Sequence, residues 1–272
     1  MLIDVILNND FNPKLKHINI QRYVCAVIDI IRATTTMSVL LAGGCREIII
    51  AKNKTQAFLY KKIFNDYLLC GEEGGLPPKG FDFGNSPLEY SKMDLKGRGI
   101  ILKTTNGTKS FFKTLKSKDS FVMSLVNISY VCDVLISQAE KNNANILLLC
   151  SGEKGRIAFD DAYAAGIAVK IILQKRKNTD ITDAARLVLN NAEFEKNSLE
   201  ALKKSVSYRS MIKAGLGEDV KICSLFDLYK ITGKLQFFNE YDDTKYLTGN
   251  NLSMKKFSST IPVFTIQPFS LP

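Results

Sequence analysis

The chain has 272 residues, of which 46% are apolar, so it can bury a large core in one large domain or two small ones. Its net charge is +10, but no run of lysines is longer than two, which indicates a lysine-rich solvated surface and not a nucleic-acid-binding tract. No stretch approaches the roughly 20 apolar residues that cross a bilayer, so we expect neither a membrane nor a nucleic acid as partner.

The N-terminus and the cysteines indicate the compartment. Residues 1–7 are apolar except for Asp4, and they lack a basic region and a small-residue cleavage site, so we predict a first strand and not a signal peptide. The six cysteines are scattered, and no pair has zinc-ligand spacing. We therefore expect a cytoplasmic protein with reduced cysteines.

Apolar runs and helical patterns then alternate along the chain. The predicted strands cover residues 24–30, 47–50, 67–70, 99–102, 120–123 and 146–150. The predicted helices cover residues 35–43, 53–64, 108–115, 130–142, 160–173 and 180–192, followed by shorter helices at 197–204 and 207–214 and a helical turn at 227–231. This alternation predicts α/β layers around a largely parallel sheet.

Residues 236–272 have a different pattern, with no helical periodicity and with Pro262 and Pro268 in their last apolar part. Because proline cannot donate a ladder hydrogen bond, we predict an irregular or edge segment there. No internal repeat or linker interrupts the chain, so we predict a single catalytic domain over residues 1–272 with this less regular C-terminal segment.

The first turn with unusual chemistry follows the strand at 24–30. Asp29 lies near the end of the strand, and Arg32, Thr34, Thr35 and Thr36 follow where a helix begins. Ligands of open α/β sheets collect at the carboxyl ends of strands, and helix N-termini and arginine both bind phosphate. The alternative is that the threonines only cap the helix and Arg32 only forms a surface ion pair.

The second turn follows the strand at 67–70 and is a long glycine-rich loop. Glu72 and Glu73 begin it, and Asn85 and Ser86 end it. Long loops in compact domains are usually functional or disordered. Asn85 and Ser86 are also typical of a simple turn with a helix cap.

The third turn, at residues 103–109, follows the strand at 99–102 and opens a helix. It contains Thr104, Thr105, Asn106, Gly107 and Thr108 between two lysines, which resembles an oxyanion cradle, although the spacing of a Walker A loop is absent. The alternative is a capped turn centred on Asn106 and Gly107.

The fourth turn follows the strand at 146–150, and Asp160 and Asp161 then open the next helix. Acids in a first turn often only complement the helix dipole. Taken together, however, Asp29, Glu72, Asp160 and Asp161 can converge on one hard cation, and magnesium prefers a few carboxylates, waters and phosphate oxygens.

Three of these motifs resemble those of the 2-phosphosulfolactate phosphatases of coenzyme M biosynthesis. They are IDIIRATTT at residues 28–36, GFDFGNSP at 80–87 and TTNGT at 104–108, with weaker matches at Glu72, Asn127 and Asp161. The resemblance covers about residues 24–173. It implies a three-layer α/β/α fold with a mostly parallel or mixed sheet, and Mg²⁺-dependent hydrolysis of 2-phospho-3-sulfolactate to 3-sulfolactate and phosphate.

From the motifs and the resemblance we assign roles to residues. We expect Asp29, Arg32, Glu72 and Asp161 to be catalytic, and Asp29, Glu72, Asp160 and Asp161 to hold Mg²⁺. We expect the substrate, a small anionic phosphorylated molecule, to be bound by Thr34, Thr35, Thr36, Asn85, Ser86, Thr104, Thr105, Asn106, Gly107, Thr108 and Asn127. A homo-oligomer is left open. The chain departs from the family pattern at Glu73, where an arginine is usual, and at Asp160, where a glutamate is frequent.

Two alternatives use the same sequence differently. Cys150 and Arg156 have the spacing of the cysteine-phosphatase loop, in which a thiolate attacks phosphorus and arginine binds the oxygens. Against this, Leu149 stands where that family has histidine, and Glu153 would repel phosphate. The other alternative is a non-catalytic module that binds a phosphometabolite or nucleotide through the same turns.

Overall fold

The computed structural model describes residues 1–10, 18–242 and 260–271. The strands are β1 Leu2–Ile6, β2 Tyr23–Ile28, β3 Glu47–Ala51, β4 Leu68–Gly71, β5 Gly99–Lys103, β6 Asp119–Met123, β7 Asn145–Cys150, β8 Asp180–Ile181, β9 Thr232–Asp242 and β10 Thr260–Phe269. The helices are α1 Ala33–Ala42, α2 Lys54–Ile63, α3 Pro87–Tyr90, α4 Gly107–Lys113, α5 Ile128–Lys141, α6 Phe159–Lys175, α7 Asp183–Phe194, α8 Ser198–Lys203, α9 Val206–Lys213 and α10 Asp219–Cys223.

All ten of these strands belong to one mixed sheet, in the order β4-β5-β3-β10-β9-β6-β2-β7-β1-β8. Two blocks are parallel. One contains β4, β5 and β3, and the other contains β6, β2, β7, β1 and β8. The antiparallel pair β9 and β10 joins the blocks, because β10 pairs with β3 and β9 pairs with β6.

Helices cover both faces of the sheet. One hydrophobic core packs α5, α6 and α7 against β1, β2, β6 and β7, and a second core packs α1, α3 and α4 against β3 and β5. Alternate residues of β2 enter different cores, since Ala26 and Ile28 belong to the first and Val27 to the second. A strand buried on both faces is a nearly continuous apolar run, which is why its pattern is legible in the sequence. The predicted three-layer α/β/α architecture is confirmed.

Two element predictions are wrong. Residues 180–181 form β8 beside β1, and the helix begins only after Thr182, whose hydroxyl accepts the Ala185 N–H at 3.3 Å as an N-cap. No helical turn forms at 227–231, because Asp227 has a φ of 52° and its carboxylate accepts the N–H and hydroxyl of Ser129 at 2.8 and 2.7 Å. Because Ser129 and Asp227 are 98 positions apart, a tertiary contact overrides the local helical pattern here.

The prediction of an irregular or edge segment from residue 236 onward is wrong for residues 236–242 and 260–269. They lie in β9 and β10, near the middle of the sheet, and residues 243–259 lie outside the described ranges. β10 bonds to β3 only around Thr265 and Ile266. Pro262 and Pro268 therefore pair with β9 alone, and their missing N–H groups leave no ladder position of β3 unpaired.

Candidate active site

A cleft of about 150 Å³ lies where the loops after β2, β4, β5 and β7 come together, with α9 at its side. Its walls are formed by Asp29, Ile31, Arg32, Ala33, Glu72, Gly74, Gly75, Asn85, Thr104, Thr105, Asn106, Glu153, Lys154, Ser207, Ser210 and Met211. Four turns that are far apart in the sequence thus contribute to a single concave surface. Small-molecule sites are expected in such places.

Asp29 lies at the start of α1 and acts as its N-terminal acceptor. Its carboxylate accepts the Ala33 N–H at 3.2 Å, and its carbonyl accepts the Thr34 N–H at 2.9 Å. Burial raises the pKa of Asp29 to about 7, aided by the negative charges of Asp160, Glu72 and Glu153, while the Ala33 N–H acts in the opposite direction. The first N–H groups of this helix therefore donate to Asp29, whereas the sequence predicts that they bind a phosphate.

Gly107 allows this close approach. A Cβ at Gly107 would lie 2.5 Å from the Ala33 Cβ and 3.0 Å from the Asp29 carboxylate. The absence of a side chain is thus required for α4 to pack against the start of α1. Gly107 itself does not line the cleft, so the structure gives it a packing role beside Asp29.

The three consecutive threonines are fully buried and bond to backbone carbonyls. The hydroxyl of Thr34 donates to Asp29 at 2.9 Å, that of Thr35 to Ile30 at 2.9 Å, and that of Thr36 to Asn85 at 3.0 Å. None of the three lines the cleft. The structure therefore uses them to fix the turn around Asp29.

Ser86, Thr108 and Asn127 are also outside the cleft wall. Ser86 caps α3 by accepting the Glu89 N–H at 3.1 Å, and the Thr108 N–H donates to the Thr104 hydroxyl at 2.9 Å. The Asn127 amide donates to the Ile231 carbonyl at 3.0 Å, and its oxygen accepts the Ser124 N–H at 2.9 Å. These contacts organise the loops behind the cleft.

Glu72 joins two of the loops. One carboxylate oxygen accepts the Gly75 N–H at 3.0 Å, and the other accepts the Thr105 N–H at 2.5 Å. The loop after β4 is thereby tied to the loop after β5, and Glu72 lines the cleft between them. Neighbouring Glu73 is an exposed residue whose carboxylate pairs with Lys54 at 2.6 Å, and it is not part of the wall.

The loop after β5 supplies Thr104, Thr105 and Asn106 to the wall, as predicted from its position after a strand. The side-chain amide of Asn106 donates to Glu153 at 3.3 Å, which connects this loop with the one after β7. Asn9, after β1, supports the turn from behind by donating to the Asn106 carbonyl at 3.2 Å.

Asp161 holds the β2 and β7 turns together from beneath the cleft. Its two oxygens accept the Ile30 N–H at 2.9 Å and the Gly152 N–H at 3.0 Å. Burial and the nearby charges of Asp160 and Asp29 raise its pKa well above the usual value. Burial likewise raises the pKa of Asp160 to about 6, although the Ser207 hydroxyl, which donates at 3.0 Å, stabilises the charged form.

The predicted group of four metal ligands is not assembled. Among the described residues, no three Asp, Glu, His or Cys side chains come together closely enough to hold a metal ion. Asp160 and Asp161 are absent from the cleft wall, whereas Asp29 and Glu72 face it together with Glu153, which the sequence analysis did not assign as a ligand.

The donors that do face the cleft nevertheless fit a hard cation. Asp29 and Glu72 offer carboxylate oxygens at the wall, and the amide oxygen of Asn85 is buried there without a hydrogen-bond partner. Mg²⁺ prefers oxygen ligands and usually binds one or two carboxylates plus waters and phosphate oxygens. Burial, aided by the neighbouring carboxylates, raises the pKa of Asp29, and a bound cation would offset both effects.

Arg32 is the buried basic residue of the cleft wall, which also contains the exposed Lys154. Its guanidinium donates to Asp219 at 2.6 Å and to the Gly75 carbonyl at 2.6 Å, and the side chains of Arg32 and Asp219 are only 2% and 3% exposed. Asp219 was missed in the sequence, where an acid in the first turn of a short helix has an ordinary explanation. Glu153 was recognisable by the same rule as the others, since it follows strand β7.

The cysteine-phosphatase alternative does not fit this geometry. Cys150 is fully buried in the core between the sheet and α5 and α6, and burial raises its pKa well above the usual value, helped by Asp161 and Asp160. Arg156 is exposed and absent from the cleft wall. A buried neutral thiol cannot serve as the attacking thiolate.

No helix in the described part of the chain is both long enough and apolar enough to span a membrane. The fold and the cleft are those of an α/β protein with a small-molecule site whose wall contains buried carboxylates and a buried arginine.

The profile of the 2-phosphosulpholactate phosphatase family matches residues 11–236. The chain is 38% identical over 205 residues to a protein of Thermotoga petrophila named "Probable 2-phosphosulfolactate phosphatase", covering 75% of this chain and 85% of that protein. A protein of Carboxydothermus hydrogenoformans with the same name is 34% identical over 238 residues, covering 87% of this chain and 94% of that protein. The chain belongs to this family and is a phosphoric monoester hydrolase.

Proposed function

We propose that this protein hydrolyses 2-phospho-3-sulfolactate to 3-sulfolactate and phosphate with Mg²⁺ as its cofactor, in the cytoplasm. The observation that carries the proposal is the division of charge in the cleft. Asp29, Glu72 and Glu153 contribute carboxylates to the wall, and Arg32 contributes a guanidinium. A phosphate monoester that binds together with a divalent cation satisfies both kinds of group.

Asp29 and Glu72 are the residues proposed to hold Mg²⁺, with the free amide oxygen of Asn85 as a further oxygen donor. When bound, the ion withdraws charge from the phosphoryl oxygens. The backbone N–H groups of Gly75 and Thr105 fix the Glu72 carboxylate, so this ligand would need little reorganisation on binding.

Arg32 is proposed to bind the phosphoryl oxygens. A guanidinium has five N–H donors in a rigid fork, and the contacts to Asp219 and Gly75 leave others for the substrate. Phosphoryl transfer requires little covalent assistance from the protein, so the positions of charges should account for most of the rate. The net charge of +10 favours the approach of a substrate that carries phosphate, sulfonate and carboxylate groups.

The test is phosphate release from 2-phospho-3-sulfolactate, with 2-phospholactate as a matched substrate that lacks the sulfonate. We expect faster release from the sulfonated ester, loss of release in excess EDTA, and recovery when Mg²⁺ is restored. Undiminished release in EDTA would defeat the role of the metal. A protein that binds a panel of phosphate esters and hydrolyses none of them would instead be a non-catalytic binding module.

A further inference from the structure

Asp219 lies behind Arg32 and contacts it directly, although 187 positions separate them in the sequence. The Asp219 oxygen that accepts from Arg32 lies 2.6 Å from the guanidinium nitrogen. The other oxygen accepts the Ser86 hydroxyl at 2.5 Å and the Leu88 N–H at 3.4 Å. The carboxylate is thus held on one side by α3 and its cap, and it holds Arg32 on the other.

The second contact of Arg32 connects it to the loop that carries Glu72. Its guanidinium donates to the Gly75 carbonyl, and the Gly75 N–H donates to the Glu72 carboxylate at 3.0 Å. Two fixed acceptors therefore determine the plane of the guanidinium. A planar fork that is fixed at two points presents its remaining N–H groups in one direction only.

Stability alone does not account for this arrangement. Removing two charges from water is costly, and well-packed apolar residues of similar volume often stabilise a fold equally well or better. Arg32, however, lines the cleft while Asp219 does not. The pair is therefore best explained by a need for a guanidinium of defined orientation at this wall.

We propose that Asp219 is a positioning residue that orients Arg32 toward the phosphoryl oxygens of the substrate, an inference that rests on the phosphatase function proposed above. Asp219 does not touch the substrate and acts through Arg32. Ser86 belongs to the same device, because its hydroxyl fixes the Asp219 carboxylate.

The decisive experiment is a double-mutant cycle of Asp219→Asn and Arg32→Ala. Asp219→Asn keeps the size of the side chain and removes its charge. Because small displacements of a positioning group are costly, we expect kcat/KM for 2-phospho-3-sulfolactate to fall about 100-fold, mostly in kcat. In the Arg32→Ala background the same change should alter kcat/KM by less than about twofold, because coupled residues are not additive. Full additivity would overturn the proposal.

A matched control separates positioning from folding. Glu47 is another buried acid, which accepts from Tyr67 at 2.6 Å and from Gln267 at 3.3 Å at the start of β3, outside the cleft. We expect Glu47→Gln to lower the thermal unfolding temperature while leaving kcat and KM at the wild-type values. Equal loss of kcat in Glu47→Gln and Asp219→Asn would show that both act through the stability of the fold.

Affinity for inorganic phosphate, measured by calorimetry, gives a readout that does not require turnover. We expect Asp219→Asn to weaken phosphate binding about tenfold or more, since Arg32 would no longer be held in place. If Asp219→Asn does not fold, Ser86→Ala provides the same test in a milder form, and wild-type phosphate affinity in that variant would overturn the proposal. If the wild-type protein binds phosphate without hydrolysing the ester, the proposed function fails, yet this measurement still decides the role of Asp219.

Discussion

Two sets of buried acids lie around the cleft in opposite electrostatic situations. Asp29, Asp160 and Asp161 lie close to one another on the side of the β2 and β7 turns, and burial raises the pKa of each. Asp219, on the side of α3 and α10, forms a salt bridge with Arg32 at 2.6 Å and also accepts from Ser86. Burial disfavours the charged form of the first set, whereas Asp219 has Arg32 as its counter-ion. We call these two regions the cation side and the anion side, after the ligands proposed for them above.

The largest expected effect comes from neutralising the cation side. We expect Asp29→Asn to reduce phosphatase activity about 1,000-fold, because a carboxylate proposed to hold Mg²⁺ is lost, and with it the stabilisation of charge that the ion would supply. Steady-state phosphate release at saturating Mg²⁺ measures it. Asp119→Asn is the control, since Asp119 pairs with Lys234 away from the cleft and should retain full activity. Retention of more than about a tenth of the wild-type rate in Asp29→Asn would contradict the assignment.

Breaking the anion side should reduce stability in addition to its effect on activity. Arg32→Ala leaves the Asp219 charge buried without its cation, and the expected loss is about 3–5 kcal/mol in the free energy of unfolding. Urea denaturation measures it. Adding Asp219→Asn to the same chain should recover much of the loss, because no uncompensated charge then remains. Equal stability of Arg32→Ala and the wild-type protein would show that Arg32 does not stabilise the buried charge of Asp219.

The pH dependence of the unfolding free energy should distinguish the two sides without an activity assay. The pKa of Asp29 is about 7 in the folded protein, against an ordinary value of 3.8, so the folded chain keeps a proton that the unfolded chain releases between these values. Stability of the metal-free protein should therefore fall as the pH rises from about 4 to about 7, by about 3 kcal/mol relative to Asp29→Asn. If the difference in unfolding free energy between the two proteins is the same at pH 5 and pH 7, the pKa of Asp29 is not raised in the folded protein.

The smallest effect is expected at Cys150, which is buried beneath the cation side. We expect Cys150→Ala to change turnover by less than about twofold, since a buried neutral thiol takes no part in the reaction. Turnover is compared per folded molecule, because removing the sulfur from the core lowers stability. Abolished turnover in a folded Cys150→Ala protein would restore the cysteine-nucleophile route.

The parts of the site that the sequence predicts well are those that follow strands. Asp29, Glu72 and Thr104 each come directly after a strong apolar run, and all three line the cleft. Glu72 and Thr104 follow neighbouring parallel strands of one block, which carry their loops to a common edge. Asp29 follows β2 of the other block and reaches them through the tertiary fold. The sequence predicts that the threonines at 34–36 bind substrate, whereas in the structure their hydroxyls donate to backbone carbonyls. Composition alone does not show which partner a hydroxyl takes.

The fold shows the same division. Strands β2, β5 and β7 are short apolar runs that local composition identifies. The place of β10 between β3 and β9 is different, because it depends on pairing across more than 200 positions, and its prolines argue against a strand. Neither local propensity nor periodicity carries information about such a partner.

The sequence by itself determined the α/β alternation, the family motifs and the identity of the acids and hydroxyls near the strand ends, because these depend on nearest neighbours along the chain. Only the tertiary structure decided which buried carboxylates have a positively charged partner. Asp219 becomes neutralised because the fold brings it to Arg32, and Asp29 keeps a raised pKa because the fold buries it beside Asp160 and Glu72. Desolvation and charge pairing depend on distances in space, and those distances join segments that the chain separates by tens to hundreds of positions.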